Sequence, residues 1–258
     1  MESKMEPENS IPFAQKITTN LSWNDIILDH TIRERLEEIS KQLIQGQTSM
    51  KTFFFGSPGT GKTLAAMLIG KTVQRDVYRV DLSRIVSKHI DETKEKLDRI
   101  FDTATNNGWI LFFDEADALF GKRSSVKGAH DRYANQEVAY LLQKIEEFPG
   151  ILILTSNSKE NMDNAFIRRF QSIVNFKMPS AVERYQIWKN AFAGTVSLNN
   201  DIDLHQISEQ YKLSGGSIMN VARYCALSAL RRNDTMIKSE ELLEGVKKEF
   251  KRENKKDI

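Results

Sequence analysis

The stretch that most constrains the fold is "GSPGTGKT", Gly56 to Thr63, which fits the pattern G-x-x-x-x-G-K-[ST]. An apolar run, "KTFFF" (Lys51 to Phe55), precedes it, and a helical pattern runs from Lys62 to Gln74. Between a strand and a helix such a loop wraps around phosphate, because glycines let backbone N–H groups face an anion at the helix start. We therefore predict a phosphate site; the alternative is a structural turn.

The side chains at the end of this loop indicate which phosphate ligand it takes. Lys62 would reach the β- and γ-phosphates as a point charge, and the Thr63 hydroxyl would ligate Mg²⁺. The predicted cofactors are therefore ATP and Mg²⁺. The predicted nucleotide-binding residues of the loop are Gly56, Ser57, Pro58, Gly59, Thr60, Gly61, Lys62, Thr63 and Leu64.

A second apolar run, "WILFFDE" (Trp109 to Glu115), ends in two carboxylates. Open α/β sheets bind ligands at the carboxyl ends of their strands. There Asp114 would hold the metal through water, and Glu115 would position and deprotonate an attacking water. Asn157, which follows the run "ILILTS", would orient that water. The structural alternatives are acids at a helix start and an amide in a turn.

Short apolar, β-prone runs alternate with helical patterns over the first two thirds of the chain. This alternation is typical of βαβ units and of a parallel sheet covered on both faces. After Pro179 the runs stop and four helical patterns follow. We predict an α/β fold in three layers, α/β/α, with a parallel five-stranded sheet and a small all-helical C-terminal domain. The predicted domains are a flexible arm (1–20), an α/β domain (21–179) and a helical domain with a basic tail (180–258).

Composition excludes several functional classes. The 37 basic and 35 acidic side chains give a net charge of +2, so no global field attracts the chain to nucleic acid or to an anionic membrane. The N-terminus lacks the pattern of a secretory signal, and no apolar run is long enough to span a bilayer. We expect a cytoplasmic protein without membrane insertion. The single cysteine, Cys225, lies on an apolar helix face and is expected to be a buried thiol.

With these elements in this order, the chain resembles the AAA+ ATPases, which are P-loop NTPases, and within them the AAA family proper. The resemblance extends from Trp23 to the last helix. It is strongest in "SKHIDETKEKLDRIF" (Ser87 to Phe101), "WILFFDEADALF" (Trp109 to Phe120) and "DNAFIRRF" (Asp163 to Phe170). It implies ATP hydrolysis, and it implies that the C-terminal helices form a lid.

The resemblance also implies roles for particular residues. Asn157 matches the first sensor, and Arg168 and Arg169 match arginine fingers that reach a neighbouring subunit's γ-phosphate. A guanidinium suits that role because it stabilises charge on the transferred group. Asp25 and Ile26 match a segment that cradles adenine. The implied assembly is a homo-oligomeric ring of six subunits.

Two observations limit the residue roles that this resemblance implies. Arg168 and Arg169 have a plain alternative as solvent-facing residues that cap a helix. The lid helix has no arginine between Gly215 and Val221, where many AAA+ relatives carry a second sensor. Its absence resembles the AAA family proper, so we assign no second-sensor arginine.

The segment "SKHIDE", Ser87 to Glu92, occupies the position of the first pore loop in this family. His89, Ile90 and Asp91 stand where the family typically has an aromatic residue, an aliphatic residue and a glycine. Histidine is smaller, more polar and able to charge near neutral pH. We therefore expect His89 and Ile90 to contact substrate with a weakened grip; the alternative is a polar loop that caps a helix.

The leading functional hypothesis is a motor that remodels a protein partner, chosen directly or through an adaptor. The stretches "VYRVDLSRIVSKHIDET" and "HDRYANQEVAYLLQKIE" resemble the AAA+ ATPases encoded with bacterial extracellular contractile injection systems, which makes such a particle a candidate partner. A nucleic-acid motor or loader is an alternative that would need basic residues in "SKHIDE", which has one lysine and two acids. A third hypothesis is a nucleotide-gated assembly scaffold, and the intact Lys62, Asp114 and Glu115 argue against it.

Overall fold

The structure is a computed structural model that describes residues 13–85, 90–116, 129–158, 167–194 and 197–254. The described chain forms two compact units. The sheet unit comprises the residues up to Asn20, Glu34–Phe55 and Lys62–Asn175. The helical unit comprises Leu21–Arg33, Gly56–Gly61 and the residues from Phe176 onward. The predicted domains were contiguous, so the sequence did not indicate that two earlier segments pack with the C-terminal residues.

The elements are numbered here in chain order over the described residues. The strands are β1 (Ala14–Ile17), β2 (Met50–Phe55), β3 (Val77–Val80), β4 (Ile110–Phe113), β5 (Ile151–Ser156), β6 (Ser172–Asn175), β7 (Ser197–Leu198) and β8 (Met236–Ile237). The helices are α1 (His30–Ile44), α2 (Lys62–Thr72), α3 (Leu82–Ile85), α4 (Ile90–Asn107), α5 (Ala129–Glu147), α6 (Ala181–Ala191), α7 (Leu204–Gln210), α8 (Gly215–Arg231) and α9 (Ser239–Asn254).

The sheet unit contains a six-stranded sheet in the order β1-β3-β4-β5-β2-β6. The five strands from β2 to β6 are all parallel, as the sequence predicted. Strands β2, β4 and β5 are buried almost throughout, which explains why they are continuous apolar runs without polar alternation. The register places Phe113 opposite Leu154, and Phe55 opposite Ser156.

The sixth strand, β1, was missed by the sequence analysis, which placed residues 1–20 in a flexible arm. Ala14–Ile17 pairs antiparallel with β3 at the edge of the sheet. Its middle residues are exposed, and Lys16 forms an ion pair with Asp76 at 2.7 Å. A short, half-polar edge strand has no apolar run that distinguishes it from a loop.

Helices cover both faces of the sheet, which confirms the three-layer prediction. Successive strand residues point to opposite faces. On one face, Phe101 of α4 and Leu141 of α5 pack with Phe113, and the Phe101 and Phe113 rings lie 6.0 Å apart. On the other face, Gly70 of α2 lies against Val77 and Ile110 so closely that an added Cβ would overlap Val77.

The helical unit packs helices α6 to α9 around its own core. The core residues include Trp188, Leu213, Val221, Cys225 and Leu242. Strand β7 pairs in parallel with β8, so the prediction of an all-helical domain was wrong in this detail. Each strand has only two residues, which is too short to give a sequence signal. Burial raises the pKa of the Cys225 thiol to about 12, as expected for an inert core thiol.

Candidate active site

Three of the predicted site segments leave the sheet at one edge. Strands β4, β5 and β2 are parallel neighbours, so their carboxyl ends lie together. Asp114 and Glu115 directly follow β4, Asn157 directly follows β5, and the chain leaves β2 after Phe55. We call this the carboxyl edge. The opposite, amino edge carries the starts of the same strands.

Asp114 and Glu115 are held together by a residue that the sequence analysis did not identify. The Thr155 hydroxyl on β5 donates to Asp114 Oδ1 at 2.6 Å and accepts the backbone N–H of Glu115 at 3.1 Å. The Thr155 carbonyl accepts the Ala116 N–H at 2.9 Å. Glu115 has a φ of 53°, which non-glycine residues rarely adopt. These bonds therefore fix an unusual turn at the carboxyl edge.

The second oxygen of Asp114 contacts a cation on the neighbouring strand. Arg79 of β3 places Nη2 3.0 Å from Asp114 Oδ2. The Arg79 side chain is 49% exposed, while that of Asp114 is 15% exposed. No sequence motif pointed to Arg79, because its proximity to Asp114 depends on the pairing of β3 with β4. Both carboxylate oxygens of Asp114 thus have partners in this structure.

The glycine-rich loop, Gly56–Gly61, is shaped by close backbone approach within the helical unit. Gly56 has a φ of 142°, and a Cβ on it would overlap the carbonyl oxygen of Phe176. The Gly59 carbonyl accepts the Gly216 N–H at 2.8 Å. Ser57, Pro58 and Gly59 are exposed, whereas Thr60 is buried.

Helix α2 begins at Lys62, immediately after this loop, with Thr63 and Leu64 in its first turn. Lys62 is buried, and Thr63 and Leu64 are partly buried. The Thr63 hydroxyl and the Asp114 carboxylate are oxygen donors, and Mg²⁺ prefers oxygen ligands. The donor types at these positions therefore fit the predicted metal.

The helical unit contains a cleft of about 200 Å³. Ile27, Leu28, Ile32, Thr60, Pro179 and Gly215 are among the residues that line it. The predicted adenine contacts, Asp25 and Ile26, come two positions and one position before Ile27, the first lining residue. Asp25 accepts hydrogen bonds from the backbone and hydroxyl of Ser22 at 2.7 Å, and Ile26 is buried toward Gly61. The cleft lining contains neither Asp25 nor Ile26.

The predicted arginine fingers lie away from the acidic pair. Arg168 and Arg169 are exposed and come just before β6, where the Gln171 N–H donates to the Lys51 carbonyl near the start of β2. They are therefore at the amino edge. Strand β2 has six residues, about 20 Å of extended chain, between that edge and the carboxyl edge. Arg169 forms an ion pair with Glu146 at the end of α5.

The predicted pore-loop residue His89 lies outside the described residues. Ile90 is the first residue of α4, and its side chain is likewise outside the description. The first charged residues of the described helix are Asp91 and Glu92. The substrate contact predicted for His89 and Ile90 therefore stays a prediction.

A search of the described part of the chain for a membrane-crossing element finds no helix with the necessary length and apolar character. The same residues contain no group of three or more His, Cys, Asp or Glu side chains placed to hold a metal ion.

Comparison with known proteins identifies an AAA-family domain in this chain. The family model described as "ATPase family associated with various cellular activities (AAA)" matches residues 52–178. An uncharacterized AAA family ATPase of Sinorhizobium fredii is 29% identical over 231 residues, which cover 85% of this chain and 67% of the relative.

Two further relatives carry functional names. The proteasome-activating nucleotidase of Methanosarcina mazei is 27% identical over 237 residues, covering 86% of this chain and 56% of the relative. The probable 26S proteasome regulatory subunit 10B of Caenorhabditis elegans is 26% identical over 249 residues, covering 89% and 60%. This chain therefore spans little more than half the length of these two relatives.

Proposed function

We propose that this chain, which carries an AAA-family domain over residues 52–178, is a Mg²⁺-dependent, ring-forming ATPase that hydrolyses ATP to remodel a protein partner. The observation that supports the proposal most is the arrangement of the sheet unit. A buried hydroxyl bonds the Asp114 carboxylate and the Glu115 backbone at the carboxyl edge, and two arginines lie at the amino edge.

Binding of the nucleotide is assigned to the loop Gly56–Gly61 and to the first turn of α2. The backbone N–H groups of the loop would face the phosphate oxygens, and the Lys62 ammonium would neutralise the β- and γ-phosphates. Thr63 and Asp114 would hold Mg²⁺, which when bound neutralises charge between the phosphates. The cleft lined by Ile27 and Leu28 would take the apolar faces of the base.

Hydrolysis is assigned to Glu115 and Asn157. The Glu115 carboxylate would accept a proton from the attacking water, while the Asn157 amide would orient that water by a hydrogen bond. The proton would move from the water oxygen to Glu115 as the bond from that oxygen to the γ-phosphorus forms, while the bond between the γ-phosphorus and the β,γ-bridging oxygen breaks and ADP leaves. Both residues directly follow neighbouring parallel strands, so the sheet sets their separation.

Arg168 and Arg169 are assigned to a neighbouring subunit's site. Within one chain they lie at the opposite sheet edge from the acidic pair, so an intramolecular role would need them to cross the length of β2. A guanidinium supplied from the next subunit would stabilise the transferred phosphoryl group and would make activity depend on assembly. Head-to-tail contacts that close form a ring, and six subunits is the number that the resemblance implies.

The substrate is proposed to be a protein. The names of the two proteasome-related relatives support this choice over a nucleic acid, and the near-neutral charge of the chain agrees with it. A contractile injection particle, an adaptor and a cytoplasmic location are finer proposals that rest on the sequence alone.

The base assignment is tested by Glu115→Gln, which keeps the shape of the side chain but removes its basicity. We expect ATP binding to persist and turnover to fall by at least about 100-fold, the usual contribution of a general base. Glu240→Gln, the same change on the exposed start of α9, is the matched control. An unaltered turnover in Glu115→Gln, measured by phosphate release, would reject the assignment.

The same variant also tests the partner. Glu115→Gln protein loaded with ATP should retain a protein partner in affinity capture, whereas Lys62→Ala protein should not. Retention of nucleic acid in its place would favour the motor or loader alternative.

A further inference from the structure

Thr155 contacts both members of the acidic pair, although no motif points to it. Its hydroxyl lies between Asp114 Oδ1, at 2.6 Å, and the Glu115 N–H, at 3.1 Å. The residue has no solvent exposure. Its backbone carbonyl bonds the next amide of the turn, that of Ala116. Thr155 thus touches the turn through both its side chain and its main chain.

The chemistry of a hydroxyl fixes the direction of these bonds. A threonine hydroxyl has one proton to donate and lone pairs to accept. An ionised carboxylate only accepts and an amide N–H only donates, so the proton points to Asp114 and a lone pair faces Glu115. The β-branched side chain on a strand also restricts χ1. Thr155 is therefore a rigid spacer between a carboxylate and the backbone of its neighbour.

We propose that Thr155 is a positioning residue for ATP hydrolysis, which sets Asp114 and Glu115 in their working orientation; this inference rests on the roles proposed for those two acids. The backbone of Glu115 has the rare positive φ of 53°, and the Thr155 bonds lie on either side of that residue. Without the hydroxyl, the Glu115 N–H loses its partner and the Asp114 carboxylate can rotate.

The other contact that the structure describes for Asp114 cannot replace this one. Arg79 reaches Oδ2 from the half-exposed side, and water competes for its guanidinium. Arg79 makes no described contact with the Glu115 backbone. The loss of Thr155 should therefore displace Glu115 from the attacking water, and small displacements of a catalytic group reduce turnover strongly.

The test compares Thr155→Val, which keeps the shape without the hydroxyl, with Thr155→Ser, which keeps the hydroxyl. Thr52→Val is the matched control, because Thr52 is a buried threonine on the adjacent strand β2 whose hydroxyl has no partner among the described residues. Measurements are kcat and KM for ATP, thermal unfolding, and binding of a non-hydrolysable ATP analogue with Mg²⁺ and with EDTA.

We expect Thr155→Val to lower kcat by about 10- to 100-fold, as for other residues that orient a ligating group. KM should change little, because Thr155 touches no phosphate-binding residue in the described contacts. The Mg²⁺-dependent gain in analogue affinity should shrink. Thr155→Ser should recover most of kcat, and Thr52→Val should match the wild type.

The proposal is overturned if Thr155→Val keeps the wild-type kcat, or if Thr155→Ser is impaired as severely as Thr155→Val, since packing would then explain the loss. If Thr155→Val does not fold, Thr155→Ala decides by the same criteria. A wild-type kcat in Thr155→Val together with an inactive Glu115→Gln rejects this inference alone. An active Glu115→Gln rejects the proposed function beneath it.

Discussion

The two edges of the parallel sheet place polar groups on the same scaffold in opposite ways. At the carboxyl edge, Asp114 and Glu115 are oriented by a buried hydroxyl, and one of them has a rare backbone conformation. At the amino edge, Lys51 is buried and its ammonium donates to Ser49 Oγ at 2.7 Å and to the Phe148 carbonyl. The first edge holds two acidic residues that we propose act on a ligand, whereas at the second edge a buried cation donates to a carbonyl of the fold.

This difference indicates which polar groups we propose act on a ligand and which stabilise the fold. Carboxylates and an amide that follow parallel strands gather at one edge and can act on one ligand. Lys51 satisfies a carbonyl within its own unit. Exposed Arg169, also at the amino edge, is the exception, because its proposed partner belongs to another subunit.

The largest expected effect is a loss of ATP turnover when an arginine at the amino edge is removed. Arg169→Ala should lower ATP turnover by about 1,000-fold or more, the usual value of an arginine finger. Arg169→Ala and Lys62→Ala subunits, each inactive alone, should regain turnover when mixed, because one supplies the intact finger and the other the intact loop. Phosphate release across mixing ratios measures this, with Arg75→Ala, another arginine of the sheet unit, as control.

No recovery at any ratio, with both variants shown to assemble, would contradict an intersubunit role. If Arg169→Ala alone has the turnover of the wild type, Arg169 has no catalytic role and is only a solvent-facing residue paired with Glu146.

The next effect concerns stability. Lys51→Ala should reduce the free energy of unfolding by about 1–3 kcal/mol, because the buried Phe148 carbonyl loses a donor. Denaturant unfolding measures the change, and Lys41→Ala, at an exposed position of α1, is the control. The kcat of the folded fraction should stay at the wild-type value. A change in kcat without a change in stability would contradict the assignment of Lys51 to the fold.

Lys51 also predicts a pH dependence with a definite sign. Burial lowers its pKa below the ordinary value near 10.4, so at alkaline pH the unfolded chain binds more protons than the folded one. The stability of the wild type relative to Lys51→Met should therefore rise with pH as the pH passes from the lowered pKa toward about 10.4. Unfolding curves of both proteins at several alkaline pH values measure it. A relative stability that falls with pH would contradict the assignment.

The smallest expected effect is a change in the Mg²⁺ requirement at the carboxyl edge. Arg79→Gln removes a cation from Asp114 Oδ2, so Mg²⁺ should bind more easily there. Exposed pairs contribute at most about 1 kcal/mol, so the Mg²⁺ concentration for half-maximal turnover should fall by at most about fivefold. Lys16→Gln, which removes the same charge from edge strand β1, is the control. A raised Mg²⁺ requirement would mean that Arg79 supports the carboxylate and does not compete for it.

Much of this molecule could be predicted from its sequence for identifiable reasons. The runs at β2, β4 and β5 are buried on both faces, so they are apolar throughout and easy to recognise. Asp114, Glu115 and Asn157 directly follow such runs, and chain order alone places them at one edge. By contrast, β1 exposes its middle residues, and β7 and β8 have two residues each, so none produces a pattern.

The sequence by itself determined the α/β class, the parallel order of elements and the position of Asp114, Glu115 and the glycine-rich loop directly after strands, because these depend on local periodicity and chain order. Only the tertiary structure decided that Thr155 and Arg79 contact Asp114, and that Arg168 and Arg169 lie at the opposite edge. Those contacts depend on which strands are neighbours and in what register, and a residue 41 positions away in the chain carries no local mark of such a contact.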